Sequence, residues 1–251
     1  VPLTEDPDAR LKATDGDRWL ATRFIDDAAA RAEIVALYAL DLELAAIPGR
    51  ATNPLMGEIR LAWWRERLEA LAAGGAGGEH PLLGALAASV ATGRFPLAPL
   101  VTLIEARHAE LADPWFEDEA GLDQYLEDLD VGLAGVVARR LSGDTEAGTF
   151  NDAARLAGLG RLMRRPAAAD GWPAWWPQTW RKLAEDDGRN DAVLRHLGHK
   201  LEALRSRARA APRLAPAAFP AIAHAVLATD QRSGPVLRRA RMLAAVTTGR
   251  I

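Results

Sequence analysis

No stretch of this chain alternates apolar with polar residues as a half-buried strand must. Runs of Val, Ile and Thr are missing, and the apolar content, 49% of the sequence, is mostly Ala and Leu. Helix formers therefore dominate throughout, which confines the chain to an all-α architecture. The length is ample for a sizeable core. No linker is long and polar enough to separate two units, so residues 1–251 read as a single domain with a glycine connector at 74–78.

Proline, glycine and capping residues divide the chain into helices. Thr14, Asp15 and Asp17 offer N-caps for a helix from about Asp17 to Ile47, with a break near residue 30. Pro48-Gly49 is expected to stop it, and Asn53-Pro54 to start the next. There Met56, Ile59, Trp63, Arg67 and Ala70 recur at helical spacing, and Trp64, Leu68 and Leu71 extend the face. Further helices are expected over Pro81–Thr92, Pro96–Ala112, Ala120–Leu141, Asn151–Arg165 (capped by Asn151 or Asp152), Asp191–Ala210, Pro216–Ala228 and Gly234–Thr247. Trp172 to Trp180 reads as an irregular aromatic segment.

Several function classes drop out. The net charge of -3 gives no general reason to expect nucleic acid. Arg greatly outnumbers Lys, a bias that fits a GC-rich genome better than a binding role. There is no Cys, so disulfides, thiolate metal sites and cysteine nucleophiles are excluded, as suits a reducing cytoplasm. No signal-peptide pattern opens the chain. The uncharged stretches Leu82–Gly93 and Leu214–Thr229 fall short of the roughly 20 apolar residues a bilayer requires. Gly74–Gly78 follows a helix and not a strand, unlike a phosphate-binding loop. His196 and His199 lack the companions that zinc needs, and no serine stands in a Gly-x-Ser-x-Gly setting.

The most specific stretch is Ala36-Leu37-Tyr38-Ala39-Leu40-Asp41-Leu42-Glu43-Leu44-Ala45-Ala46-Ile47-Pro48-Gly49, preceded by Arg31. Gly57-Glu58-Ile59-Arg60-Leu61-Ala62-Trp63-Trp64-Arg65 follows after a short linker. Together the two segments resemble the squalene/phytoene synthase family, which implies an isoprenoid-synthase fold of helices around a central cavity. In catalytic members, the resemblance implies, this helix ends in an Asp-Asp-x-x-Asp motif that binds a prenyl diphosphate through Mg²⁺. Acids one turn apart share a helix face, and hard cations prefer oxygen ligands. Here those positions fall on Ala45, Ala46 and Gly49. The second acidic motif corresponds to Ala157 through Pro166, where Arg164 keeps the family's arginine but Arg165 stands in place of an acid. Ala39 through Ala45 and Gly57 through Trp64 are similar to the branch that contains the mitochondrial complex I assembly factor of this type and its bacterial relatives.

That resemblance implies a non-catalytic assembly or binding factor without a metal cofactor. Its implied partner is a protein in respiratory complex assembly, and its implied location is the cytoplasm or the periphery of the inner membrane. A divergent head-to-head prenyl transferase using Mg²⁺, or a carrier of an isoprenoid or lipid, stays open beside it. The expected vestigial pocket comprises Tyr38, Asp41, Arg60, Trp64, Arg65, Arg161 and Arg164. Arginine is well shaped for diphosphate or carboxylate, and ion pairing with Asp41, Glu43 or Glu58 is the plainer role. A lone Asp41 reads as a polar contact between helices before it reads as a metal ligand. Asp187 and Asp191 read as a helix junction, and Asp123, Glu127, Asp128 and Asp130 as a solvated face. Trp172, Trp175, Trp176 and Trp180 could plug or lid the cavity as core packing, form a partner surface or touch a membrane interface. Arg238, Arg239 and Arg241 read as a solubilising patch on a terminal helix.

Overall fold

The computed structural model describes residues 6–51, 53–78, 80–143, 150–165, 173–186, 191–212, 214–228, 230 and 234–250. Among these, all regular structure is helical and no strand occurs, as the helix-forming composition requires. The α-helices are α1 (Pro7–Thr14), α2 (Gly16–Thr22), α3 (Ala28–Arg50), α4 (Pro54–Ala72), α5 (Pro81–Ala91), α6 (Leu97–His108), α7 (Glu119–Leu126), α8 (Gly132–Ser142), α9 (Asn151–Leu162), α10 (Gln178–Asp186), α11 (Asp191–Ala210) and α12 (Pro235–Thr248).

Helix α3 is the hub. Every residue from Ile34 to Asp41 is buried, so the helix is enclosed on all sides and not merely along one stripe. It packs against α1, α2, α4, α5, α6 and α8. Its start is fixed twice. The Asp27 carboxylate accepts from the amides of Ala29 (2.8 Å) and Ala30 (3.2 Å). Arg31 then reaches back across the turn, and its Nε and Nη2 donate to the Ile25 carbonyl at 3.0 and 2.5 Å. The expected break near residue 30 thus lies earlier, over residues 23–27, and separates α2 from α3.

Other boundaries also differ from expectation. Pro48 does not stop α3, which continues to Arg50; a proline forfeits only its own amide, and Ala51 N still donates to Ile47 and Pro48 carbonyls (3.0 and 3.3 Å). Asn53 caps α4 as expected, accepting from Met56 N at 3.0 Å. Phe150, and not Asn151 or Asp152, occupies the N-cap of α9, without a side-chain cap bond. The segment Pro216–Ala228 holds two 3-10 turns, Phe219–Ala221 and Ala223–Leu227, in place of an α-helix. The expected helix 120–141 is split by a π-helical turn at Glu127–Val131.

The tryptophan cluster is interior. Trp175, Trp176 and Trp180 are all buried and meet edge to face, with centroids 6.2–6.4 Å apart. Of the alternatives open in the sequence, burial agrees with core packing and not with a partner or membrane surface for these three; Trp172 lies outside the described residues. No described helix is long and apolar enough to cross a membrane.

Because Arg31 closes the turn that launches α3, replacing it with Ala should destabilise the fold by about 1–2 kcal/mol. Chemical denaturation should show a lower midpoint with an unchanged slope.

Candidate functional site: an arginine-lined cavity

A cavity of about 550 Å³ opens between the α1–α2 junction, α3, the end of α6, the end of α9, and α12. Leu42, Ala45 and Ala46 form its α3 wall, beside Asp41. Six arginines line it: Arg18, Arg107, Arg161, Arg164, Arg165 and Arg238.

Asp41 sits at the centre of the buried charges. Its Oδ2 accepts from Arg18 Nη1 at 2.5 Å, and its Oδ1 accepts from Arg107 Nη2. All three side chains are almost fully excluded from solvent. Burial would raise the Asp41 pKa, but the Arg107 and Arg18 guanidiniums reverse this and hold the carboxyl well below its usual range. Arg107 also donates to Glu110 and, at 3.2 Å, to the Tyr125 hydroxyl, which in turn donates to Glu110 at 2.7 Å. Arg165 reaches Glu110 from α9's end at 2.9 Å, with its guanidinium 4.7 Å from the Trp115 ring centroid. Glu110 is likewise depressed: burial opposes ionisation, and Arg107 and Arg165 outweigh it.

Asp130 forms the second node. Arg161 Nη2 contacts both of its oxygens, at 2.9 and 3.2 Å, and Arg18 Nη2 lies 3.4 Å away. Burial raises its pKa, and here Arg161 and Arg18 do not fully offset it. The π-helical turn aims this residue inward. One turn holds an extra residue, so register shifts between α7 and α8. Asp123 pairs outside with Lys200 (2.6 Å), Glu127 with Arg155 (2.5 Å), and Asp128 accepts from Gln124 (2.8 Å), while Asp130 is buried. The reading of all four as a solvated face is corrected for Asp130. Gly158 on α9 makes room for it, since a Cβ there would stand 2.1 Å from Asp130 Oδ2.

Of the seven residues of the expected pocket, Asp41, Arg161 and Arg164 line the cavity. Tyr38 is buried behind it, its ring centroid 5.2 Å from the Arg18 guanidinium. Arg60, Trp64 and Arg65 do not line it. Helix α4 turns Arg60 to solvent and pairs Arg65 with Glu69 (3.3 Å) and Glu105 (2.7 Å). Trp64 is buried against His80, centroids 5.0 Å apart. Arg238 is no mere solubilising group; it bonds Asp17 at 2.5 Å and lines the cavity. Glu43 pairs with Arg10, and His196 with Glu119 at 2.6 Å. The candidate acid Asp187 lies outside the described residues.

Sequence reasoning missed Arg18, Arg107 and Glu110, and misread Arg238 and Asp130 as solvent-facing. One signal was present for Arg107: Leu100, Leu103, Ile104 and Arg107 follow the i, i+3, i+4, i+7 spacing of a buried stripe. A charge on such a stripe must be paired.

Mg²⁺ demands several hard oxygen ligands in near-octahedral array. Among the described residues no group of three or more His, Cys, Asp or Glu converges to hold a metal, and both Asp41 oxygens are already taken by guanidiniums. The residues present do not fit the Mg²⁺-diphosphate site of the family's catalytic members.

Three outcomes follow for the network. Asp41→Asn leaves Arg18 and Arg107 undercompensated and should cost about 3–5 kcal/mol; a carboxylate in an empty metal cluster would instead be repelled by its neighbours, and its removal would stabilise. Because the Asp41 and Glu110 carboxyls are held below their ordinary values of 3.8 and 4.5, their contribution is present above those values. It is lost as pH falls below them, and the acid-side decline should be shallower in Asp41→Asn. Gly158→Ala should cost about 1–3 kcal/mol through the collision with Asp130, measured by thermal and chemical unfolding.

The squalene/phytoene synthase family model matches residues 11–233. No curated protein matches the chain. The matched span takes in the cavity walls from α2 to α9 and most of the described core, and the chain belongs to the squalene/phytoene synthase family.

Proposed function

We propose that this family member does not condense prenyl diphosphates and acts instead as a binding factor of the assembly type. The observation that carries this is the state of Asp41, the one acid of the motif helix that reaches the cavity. It is held on both oxygens by Arg18 and Arg107, with Ala45 and Ala46 beside it. Catalysis of the family's kind needs cations bridged by free carboxylates to stabilise a leaving diphosphate. Arginines could hold such a group, yet they would poorly drive its ionisation.

In this reading the protein takes no metal cofactor and works in the cytoplasm or at the inner-membrane periphery. By the likeness of residues 39–45 and 57–64 to the assembly-factor branch, its partner belongs to respiratory complex I.

A carrier role is favoured by a separate observation. Arg164 lines the cavity and, among the described residues, bonds only the Ala228 carbonyl (3.1 Å), with no carboxylate partner. Burial lowers its pKa, and Arg161 and Arg238 nearby act in the same direction. An anionic headgroup would complete that charge balance.

Incubation with farnesyl or geranylgeranyl diphosphate and Mg²⁺ should give no condensed product, and Mg²⁺ alone should not raise the melting temperature. Deletion should lower assembled complex I while isoprenoid levels hold. Turnover abolished by Asp41→Ala would overturn the non-catalytic proposal. Normal complex I would overturn the assembly role. A Mg²⁺-independent lipid co-purifying with the protein and lost in Arg164→Ala would favour the carrier.

A further inference from the structure

Helix α12 turns an uncovered apolar face to solvent. Its inner side, Met242 and Ala245, is buried, and the helix packs against the 3-10 turn Ala223–Leu227. On the opposite side Val236 is 80% exposed, Leu237 49% and Leu243 53%. At about 100° per residue, Val236, Ala240, Leu243 and Thr247 share one narrow sector. Arg239 stands at one edge of this strip, about 40° from Leu243, whereas Arg241 lies roughly 100° past the other edge, toward the buried side. Arg241 pairs with Asp230, while Arg239 has no carboxylate partner among the described residues. The helix contains no Asp or Glu.

The polar groups on the strip are already satisfied. Thr247 Oγ1 donates back to the Leu243 or Ala244 carbonyl (3.0 Å each), and Thr248 Oγ1 to Ala244 (2.7 Å). Entry into an apolar boundary would therefore strand no hydroxyl. Charge selects the occupant. Two copies paired through this face about a two-fold axis would bring together two acid-free strips, each edged by Arg239, a like-charge arrangement. An anionic lipid surface offers apolar contact for the strip and phosphate for its Arg239 edge.

We propose that α12 docks the protein onto a membrane surface rich in anionic headgroups. Val236, Ala240 and Leu243 face the acyl boundary, and Arg239 meets headgroup phosphate. Arg238 lies on the opposite side of α12 from this strip, where it turns inward and lines the arginine cavity. The contact is peripheral, since α12 is far shorter than a spanning helix.

The test uses the full chain in flotation with two vesicle types, phosphatidylcholine alone and phosphatidylcholine with phosphatidylglycerol. The protein should float with the anionic vesicles only, and added salt should weaken binding. Leu243→Glu and Arg239→Glu should each lower partitioning by about tenfold or more, at unchanged melting temperature. Leu55→Glu, which alters an exposed apolar residue of α4 instead, should leave binding intact. Four results would overturn the proposal: no flotation with anionic vesicles, equal flotation with neutral ones, equal loss in Leu55→Glu, or Leu243→Glu dissociating a dimer without changing vesicle capture.

Discussion

The buried carboxylate of Asp41, shared between Arg18 and Arg107, is the contact on which the interior depends. Taking ions out of water costs several kcal/mol each and is repaid only by close geometry and full hydrogen bonding. The chain meets that demand by extension. Arg18 shares its charge with Asp130, Arg107 with Glu110, and Arg161 and Arg165 close the two ends. Apart from the local Arg107–Glu110 pair, the links join different elements: α2 to α3, α3 to α6, α2 and α9 to the π-helical turn. The network therefore fixes how these elements sit around the cavity. Smaller choices serve it, including Gly158, which admits the Asp130 carboxylate, and Tyr38, whose ring backs Arg18.

This arrangement explains which parts of the molecule were legible in the sequence. Helix formers and the lack of strand patterning specify the all-α class, because both are local properties. Caps such as Asn53 are local too, and they mark starts well. The stop at Pro48 was misplaced because a proline near a helix end sacrifices little. The π-helical turn was invisible, since its register shift is imposed by tertiary packing and has no short-range signal. Asp130 consequently looked like one acid among several on a wet face. Arg60 and Arg65 looked like pocket residues because they adjoin the motif tryptophans in sequence, whereas α4 turns them outward. The asymmetry is physical: burial of a charge depends on which elements meet, and that is settled far from the residue itself.

The cavity carries the same logic into function. Where catalytic relatives place carboxylates that need cations, this chain places cations among carboxylates that already have partners. Six arginines line the space, and the five buried or lining acids that answer them are Asp15, Asp17, Asp41, Glu110 and Asp130. An apolar core of the same volume would often be as stable or more so, so stability alone is a weak reason to keep such a network. What an apolar core could not supply is a positively rimmed opening. Arg164 is the group left over: burial and its neighbours Arg161 and Arg238 oppose its charge, while Asp17 and Asp15 favour it from a distance. An anion entering from solvent would remove that imbalance at a stroke and needs no metal to do so, because guanidinium binds phosphate and carboxylate oxygens directly. On the proposed reading, the motif helix loses its acids at Ala45 and Ala46 while arginines converge from α2, α6, α9 and α12, an arrangement suited to holding an anion and not to expelling one.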